Sequence, residues 1–194
     1  MTIAVAPPPL QTFDLPLRIN FKEPEAVNKI AFTLTSLIIA YDQNYRKLQR
    51  LVLCIGSDRS TGDALGPLVG ERLSSLKLPR TAVIGTLAEP VHALNLKEHL
   101  KRIELSGKQT LVIAVDAALG KPDSIGVIEI GRGPLHPGAG VNKKLPPVGH
   151  IYLSGIVNLG GFMEQMVLQS TRLFHVMKLA DVISRALQQA LLQT

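Results

Sequence analysis

Three short runs of aliphatic and β-branched residues, LVLCIG (51–56), TAVIGT (81–86) and TLVIAV (110–115), are separated by two longer stretches with helical spacing, 65–76 and 91–105. Strand, helix, strand, helix, strand in that order requires crossover connections, and crossovers build a parallel sheet with helices on its faces. Two further strand-like runs follow, SIGVIEIG (124–131) and HIYLSGIV (150–157). The sequence therefore predicts an α/β domain built on a mostly parallel, twisted sheet of about five strands flanked by helices. Ahead of the strands, Val27, Ile30, Ala31, Leu34, Leu37 and Ile38 recur at three- and four-residue steps after Pro24, which predicts a helix over 24–41. The chain ends in a long apolar-periodic stretch, 162–192, expected to break near Thr171 and to cover a sheet face. Core packing explains its Phe162, Met163, Met166, Val167, Leu168 and Leu173 more simply than a partner-binding helix does.

Residues 1–23 stand apart. Pro7, Pro8 and Pro9 and the absence of periodicity predict an extended arm, leaving 24–194 as a single domain. An apolar share of 46% with 19% charged residues belongs to a chain that buries a core, not to a disordered one. Twenty-one basic against fifteen acidic residues, a net +6, favour acidic partners. With no Trp, three Tyr, five Phe and no RNA-reading motif, nucleic acid is not the expected partner. The start lacks the charged and continuously apolar regions of a signal peptide, and the most apolar run, Leu37 to Ala40, is far short of the ~20 residues that cross a bilayer. A cytoplasmic protein without a membrane partner is expected. The single cysteine, Cys54, lies in a strand-like run, so it reads as a buried structural thiol and not as a nucleophile.

In an open parallel sheet, ligands bind beyond the carboxyl ends of the strands. Two segments reach that edge: the polar loop Ser57-Asp58-Arg59-Ser60-Thr61-Gly62-Asp63 after the first run, and Asp116 after the third. If those strands are parallel, Asp63 or Asp58 faces Asp116 across a crevice. Two carboxylates sharing a site repel each other, so one keeps a proton while the other ionises, and an acid and a base stand together. The bland alternatives are that Asp63 caps the following helix, that Asp58 stabilises a turn and that Asp116 bonds nearby loop amides. Pro67 argues against the cap, because a helix capped by Asp63 needs an amide hydrogen at position 67. The helix is then expected to start later, with Asp63 left in the loop near its positive end.

His92 follows the second run on the same edge. A metal site from Asp63, Asp116 and His92 has no HExxH-type spacing behind it, and a His at the start of a helix is more often a surface or capping residue. His136, His150 and His175 read as structural. The glycines of the first loop fit neither the P-loop nor the Rossmann spacing, so nucleotide binding is not expected. The segment 131–149, with four prolines and four glycines in RGPLHPGAGVNKKLPPVG, is either a lid or substrate loop or a plain surface connection.

CIGSDRSTGDALGPLVG (54–70), EPVHALNL (89–96), VIAVDAALG (112–120) and SGIVNLGGFMEQMVLQSTRLFHVMKLAD (154–181) resemble the YyaC-type sporulation proteins of endospore-forming bacteria, a likeness that spans residues 24–190. That family is similar to the germination protease, which degrades small acid-soluble spore proteins. There, a Thr-Pro-Asp-Ala-Leu-Gly-Pro segment and a later Asp-Ala-Leu segment carry two essential aspartates. Thr61-Gly62-Asp63-Ala64-Leu65-Gly66-Pro67 and Val115-Asp116-Ala117-Ala118-Leu119 match them, with Gly62 in place of the proline. The scaffold is also similar to the hydrogenase maturation endopeptidases, whose nickel ligands are an acidic residue, an Asp and a His. Asp63 and Asp116 match the first two, and no His is matched to the third.

The resemblance implies a phosphorylase/hydrolase-like fold of the hydrogenase maturation protease kind. It implies a sporulation-associated peptidase with Asp63 and Asp116 as catalytic pair and a protein or peptide as substrate. Asp58, Arg59, Ser60, Thr61 and His92 stand on the substrate side, and no cofactor is expected unless a divalent metal joins the aspartates. The rival is a non-catalytic sporulation protein that holds a peptide or partner on the same scaffold. Oligomeric state is not set by the sequence.

Overall fold

The computed structural model describes residues 15–42, 48–105, 109–138 and 145–194. The three prolines of the arm, and residues 139–144 of the 131–149 segment, lie outside them. Six strands form one sheet in the order β1-β5-β6-β4-β2-β3: β1 Leu17–Asn20, β2 Gln49–Cys54, β3 Thr81–Ile84, β4 Thr110–Gly120, β5 Val127–Arg132 and β6 Ile151–Leu159. Strands β3, β2, β4 and β6 run parallel, whereas β5 lies antiparallel to β6 and β1 antiparallel to β5. The fold is thus α/β with a mixed sheet. The sixth strand is β1, taken from the segment that reads as an extended arm. Its Leu17 and Ile19 face the same side as the β5 residues they pair with, Ile130 and Ile128.

Among the described residues there are five α-helices: α1 Ala26–Asp42, α2 Leu65–Ser74, α3 Leu96–Leu105, α4 Glu164–Gln169 and α5 Leu173–Gln193. Period-two alternation sorts the strand residues between two cores. On one face Val52, Cys54, Ile113, Val115, Ile128, Ile130, Leu153 and Val157 pack against α1, α2 and α5. On the other, Leu51, Leu53, Ile55, Val112 and Ala114 meet Leu96, Leu100 and Ile103 of α3 together with Leu135 and Val148. Cys54 is buried, and desolvation pushes its thiol far above the ordinary range, as an inert core residue requires.

The C-terminal stretch breaks at 170–172, beside Thr171. The core-packing expectation holds for most of α5 and fails for most of the segment ahead of it. The α5 face of Val176, Leu179, Ile183, Leu187 and Leu191 is buried, but Phe162 is 82% exposed, and Met163, Met166 and Leu173 are also exposed. Of the apolar residues ahead of α5, Leu168 is the one that packs on the core. The described residues contain no helix long and apolar enough to cross a membrane.

Candidate functional site

The strand order reverses between β2 and β4. From β2 the chain passes through α2 to β3 at the edge, then returns through α3, on the opposite face, to β4 on the other side of β2. The carboxyl ends of β2 and β4 therefore open onto the switch-point crevice, where loops diverge to opposite faces and leave room for a ligand. Asp63 and Asp116 come within electrostatic reach of each other at this place.

After Cys54 the backbone continues through Ile55, bridged to Val91, and Gly56, whose N–H donates to the Val91 carbonyl at 2.8 Å. Gly56 holds φ +140°, and a Cβ there would lie 2.0 Å from the Asp63 carbonyl oxygen. That approach lets the loop close on itself, with Ser57 N–H donating to the same carbonyl at 3.1 Å. A 3-10 turn at Gly62–Ala64 then leads into α2, whose first helical residue is Leu65 and which has no side-chain cap. This is the outcome Pro67 implies: Asp63 sits half-buried in the turn and does not cap α2.

Asp116 lies inside β4 and is not the loop residue that the run 110–115 suggests. Beyond Val115, the last residue of β4 paired with β2, β4 keeps only its β6 neighbour, and Asp116 pairs with Ser154. Its side chain shares the α3 face with Val112 and Ala114 and is 6% exposed. Ala117 N–H donates to its Oδ1 at 2.9 Å, and Gly138 N–H donates from the described part of the Pro/Gly segment. Burial raises the pKa of this carboxyl well above the ordinary 3.8, and the charge of Asp63 raises it further. The two N–H donors oppose this, with smaller effect. The structure thus brings Asp63 and Asp116 into electrostatic contact, the buried one disposed to keep its proton.

The other candidates are arranged less tightly. Asp58 and Arg59 are exposed, and the turn they occupy is held by Ser57 Oγ, which accepts the Arg59 N–H at 3.2 Å. Ser60 Oγ is buried in the loop with no hydrogen-bond partner among the described residues, and Thr61 is half-buried. His92 works locally: its N–H donates to Asn95 Oδ1 at 2.8 Å and its Nδ1 accepts the Leu94 N–H at 3.3 Å. These bonds hold the turn at 92–95 ahead of α3. Among the described residues no three His, Cys, Asp or Glu side chains are grouped closely enough to hold a metal ion. His150 is tied into the opposite edge, its Nδ1 accepting the Val112 N–H at 3.0 Å and its carbonyl accepting Tyr41 Oη–H at 2.9 Å. His175 packs between Phe21 and Phe174.

Two contributors to the site escape the sequence reading. Gly138, at φ +70°, turns the chain in His136-Pro137-Gly138 and aims its N–H at Asp116; the Pro-Gly pair is the one signal of it. Ser154 becomes a neighbour of Asp116 only through the β4–β6 register. Helix α4 abuts the same loop. Asn158 Nδ2 donates to the Val167 carbonyl at 3.2 Å and to Thr171 Oγ1 at 3.1 Å, holding α4 where a Cβ on Gly62 would meet Leu168 Cδ2 at 2.7 Å. A Cβ at 62 therefore requires Leu168 and Thr171 to shift while α4 is in place.

A family model described as "Protein of unknown function (DUF1256)" matches residues 18–186. A Bacillus subtilis (strain 168) protein, "Uncharacterized protein YyaC", is 55% identical over 137 residues, 71% of this chain and 67% of that protein. Among solved structures, the [NiFe] hydrogenase maturation protease HycI from Thermococcus kodakarensis KOD1 is 19% identical with a TM-score of 0.48, over 80% of this chain and 99% of that one. The hydrogenase 3 maturation protease is 15% identical with a TM-score of 0.43, over 71% and 88% respectively.

Proposed function

The chain belongs to the DUF1256 family of proteins of unknown function, and from that premise we propose that it is a sporulation-associated peptidase in which Asp63 and Asp116 activate water against a peptide bond. The observation that carries this reading is the Asp116 carboxyl, buried at the switch point of the sheet, where desolvation and the charge of Asp63 both oppose its ionisation. Asp63, the more exposed of the two, is the general base: it takes a proton from water as the oxygen attacks the carbonyl carbon. Asp116 is the general acid and gives its proton to the departing amide nitrogen, so the two exchange protonation states across one turnover. To Asp58, Arg59, Ser60, Thr61 and His92 this reading assigns the positioning of the substrate and the stabilising of the developing oxyanion. The match of Thr61–Pro67 and Val115–Leu119 to the aspartate segments of the germination protease supports the same assignment.

One observation favours the rival, a peptide-holding protein without catalysis. Asp116 already accepts two backbone N–H groups and is almost wholly covered. The experiment that separates the two readings is mass spectrometry of a sporulating-cell extract incubated with wild type or with the Asp63→Asn, Asp116→Asn double variant, over a range of pH. Fragments made by wild type alone support the peptidase and name its substrate and cut site. Identical fragment sets in both samples overturn it in favour of the rival.

A further inference from the structure

A row of side chains crosses the sheet on the face that carries Asp116. Register pairs Asp116 with Ser154, Ser154 with Glu129, and Glu129 with Arg18, so β4, β6, β5 and β1 each contribute one residue at the same level. Neighbouring strands are ~4.8 Å apart, so Ser154 stands one strand spacing from Asp116 and Arg18 about three. Over β2 and β4 this face is covered by α3 and by Leu135 and Val148. Over β6, β5 and β1 lies a cavity of about 460 Å3, lined by Ser154, Glu129 and Arg18 from the row and by Lys121 and Ser124 from the β4–β5 connection.

The charges in this cavity are unevenly used. Glu129 is engaged at both oxygens, its Oε2 accepting from Arg18 Nη1 at 2.5 Å and its Oε1 accepting Tyr152 Oη–H at 3.1 Å. Arg18 Nη2 donates to Ser124 Oγ at 3.1 Å. Glu129 therefore cancels one cation and leaves the Lys121 ammonium, while the Ser154 hydroxyl, on a residue 8% exposed, makes no hydrogen bond with the described residues. A cation and two hydroxyls around a space of this size, with the acidic residue already neutralised, suit an anionic ligand. Its oxygens replace the water that the hydroxyls and the ammonium give up.

We infer, on the reading that a polypeptide is handled at Asp63 and Asp116, that this cavity holds a carboxylate of that polypeptide beside the reacting bond. The carboxylate accepts from Lys121 Nζ, Ser154 Oγ and Ser124 Oγ. It belongs either to an acidic side chain or to the chain's own C-terminus. Both sources offer the same planar pair of oxygens, and one strand spacing separates Ser154 from Asp116, close to the ~3.3 Å rise of one extended residue plus a short side chain.

The test is an amide chemical-shift titration of the 15N-labelled protein carrying Asp63→Asn and Asp116→Asn, so that binding is read without turnover. Three probes are used: N-acetylglutamate α-amide, with a side-chain carboxylate; N-acetylglutamine, with a terminal one; and N-acetylglutamine α-amide, with neither. Shifts at 118–124 and 154–156 with either acid and not with the neutral amide support the inference, and the tighter acid identifies the source. Lys121→Gln, at an exposed position, is expected to weaken that acid at least ~5-fold, the loss of one charge-assisted contact. Ser154→Ala serves as a second, uncharged check. Equal binding of all three probes, no shifts at these residues, or an affinity unchanged by Lys121→Gln overturns it. A protein that binds the acids but yields no fragments loses the peptidase and keeps the cavity; one that cleaves but binds no acid here loses the cavity alone.

Discussion

Gly66 and Gly70 lie one helical turn apart on the side of α2 that meets the sheet, and each touches a backbone carbonyl. A Cβ on Gly66 would stand 2.0 Å from the Ile55 oxygen, and one on Gly70 2.2 Å from the Gly85 oxygen. Contacts under 3.0 Å force something to move, and neither carbonyl can rotate away, because each is part of the chain at a strand end. Gly66→Ala therefore pushes α2 outward by about 1 Å. Helix propensity works the other way, since Ala in place of a helical Gly gains about 1 kcal/mol. Overpacking costs about 1–3 kcal/mol, and a clash with rigid backbone belongs at the top of that range. The expected net loss is about 2 kcal/mol, which at 2–4 °C per kcal/mol for a domain of this size lowers Tm by about 4–8 °C. Because one retreat of α2 relieves both clashes, the Gly66→Ala, Gly70→Ala double variant is expected to lose less than the sum of the single losses. Circular-dichroism melting and urea unfolding of the three variants measure this. A Tm at or above wild type for Gly66→Ala, or strictly additive losses, refutes the close docking that sets Asp63 three residues upstream.

Asp116→Asn is expected to stabilise the protein. The fold holds the Asp116 proton more tightly than the unfolded chain does, so wild-type stability falls as pH rises above the ordinary carboxyl value. The variant escapes that fall, gaining more than about 1 kcal/mol at pH 8 and nothing below about pH 4 in urea unfolding; lower stability at pH 8 refutes the assignment. Asp63→Asn removes the second cause of the raised pKa and leaves burial, so the 13C titration of the Asp116 carboxyl is expected to move down yet stay above the ordinary value. No movement means the two carboxyls are not coupled. Gly62→Ala drives a methyl toward Leu168 and Thr171, so it is expected to cost about 1–2 kcal/mol and to speed tryptic cleavage at Arg172 as α4 lifts. An unchanged cleavage rate counts against the α4 docking.

What could be read from the sequence followed from local pattern. Runs such as LVLCIG and TLVIAV announce strands because both faces of a central strand are buried, and the helices between them fix their parallel sense. β1 was hidden. LRIN is four residues beside a proline-rich stretch, and only its pairing with Val127–Ile130 makes it a strand. The far half of β4, DAALG, carries little strand propensity and is held by β6 through Asp116↔Ser154 to Gly120↔Leu159. Residues 91–95 have helical spacing but form the turn that Asn95 and His92 pin before α3. The cavity row is invisible for a different reason: Arg18 and Glu129 are 111 residues apart, and cross-strand register has no short-range signature.

Asp116 itself separates structure from chemistry. The Ala117 and Gly138 N–H groups need an acceptor, and an amide oxygen of Asn supplies one without a charge. Burial and Asp63 both act against ionising a carboxyl at this position, so the fold alone is better served by Asn. An acid kept where it weakens the fold is the mark of a group retained for proton transfer or ligand contact. The Asp116→Asn variant then decides the matter through two measurements, its urea midpoint near neutral pH and its yield of fragments from the extract. A more stable, inert variant is the outcome that an aspartate acid–base pair requires. A more stable variant that still cleaves places the chemistry elsewhere, and a less stable one makes the carboxylate a structural acceptor.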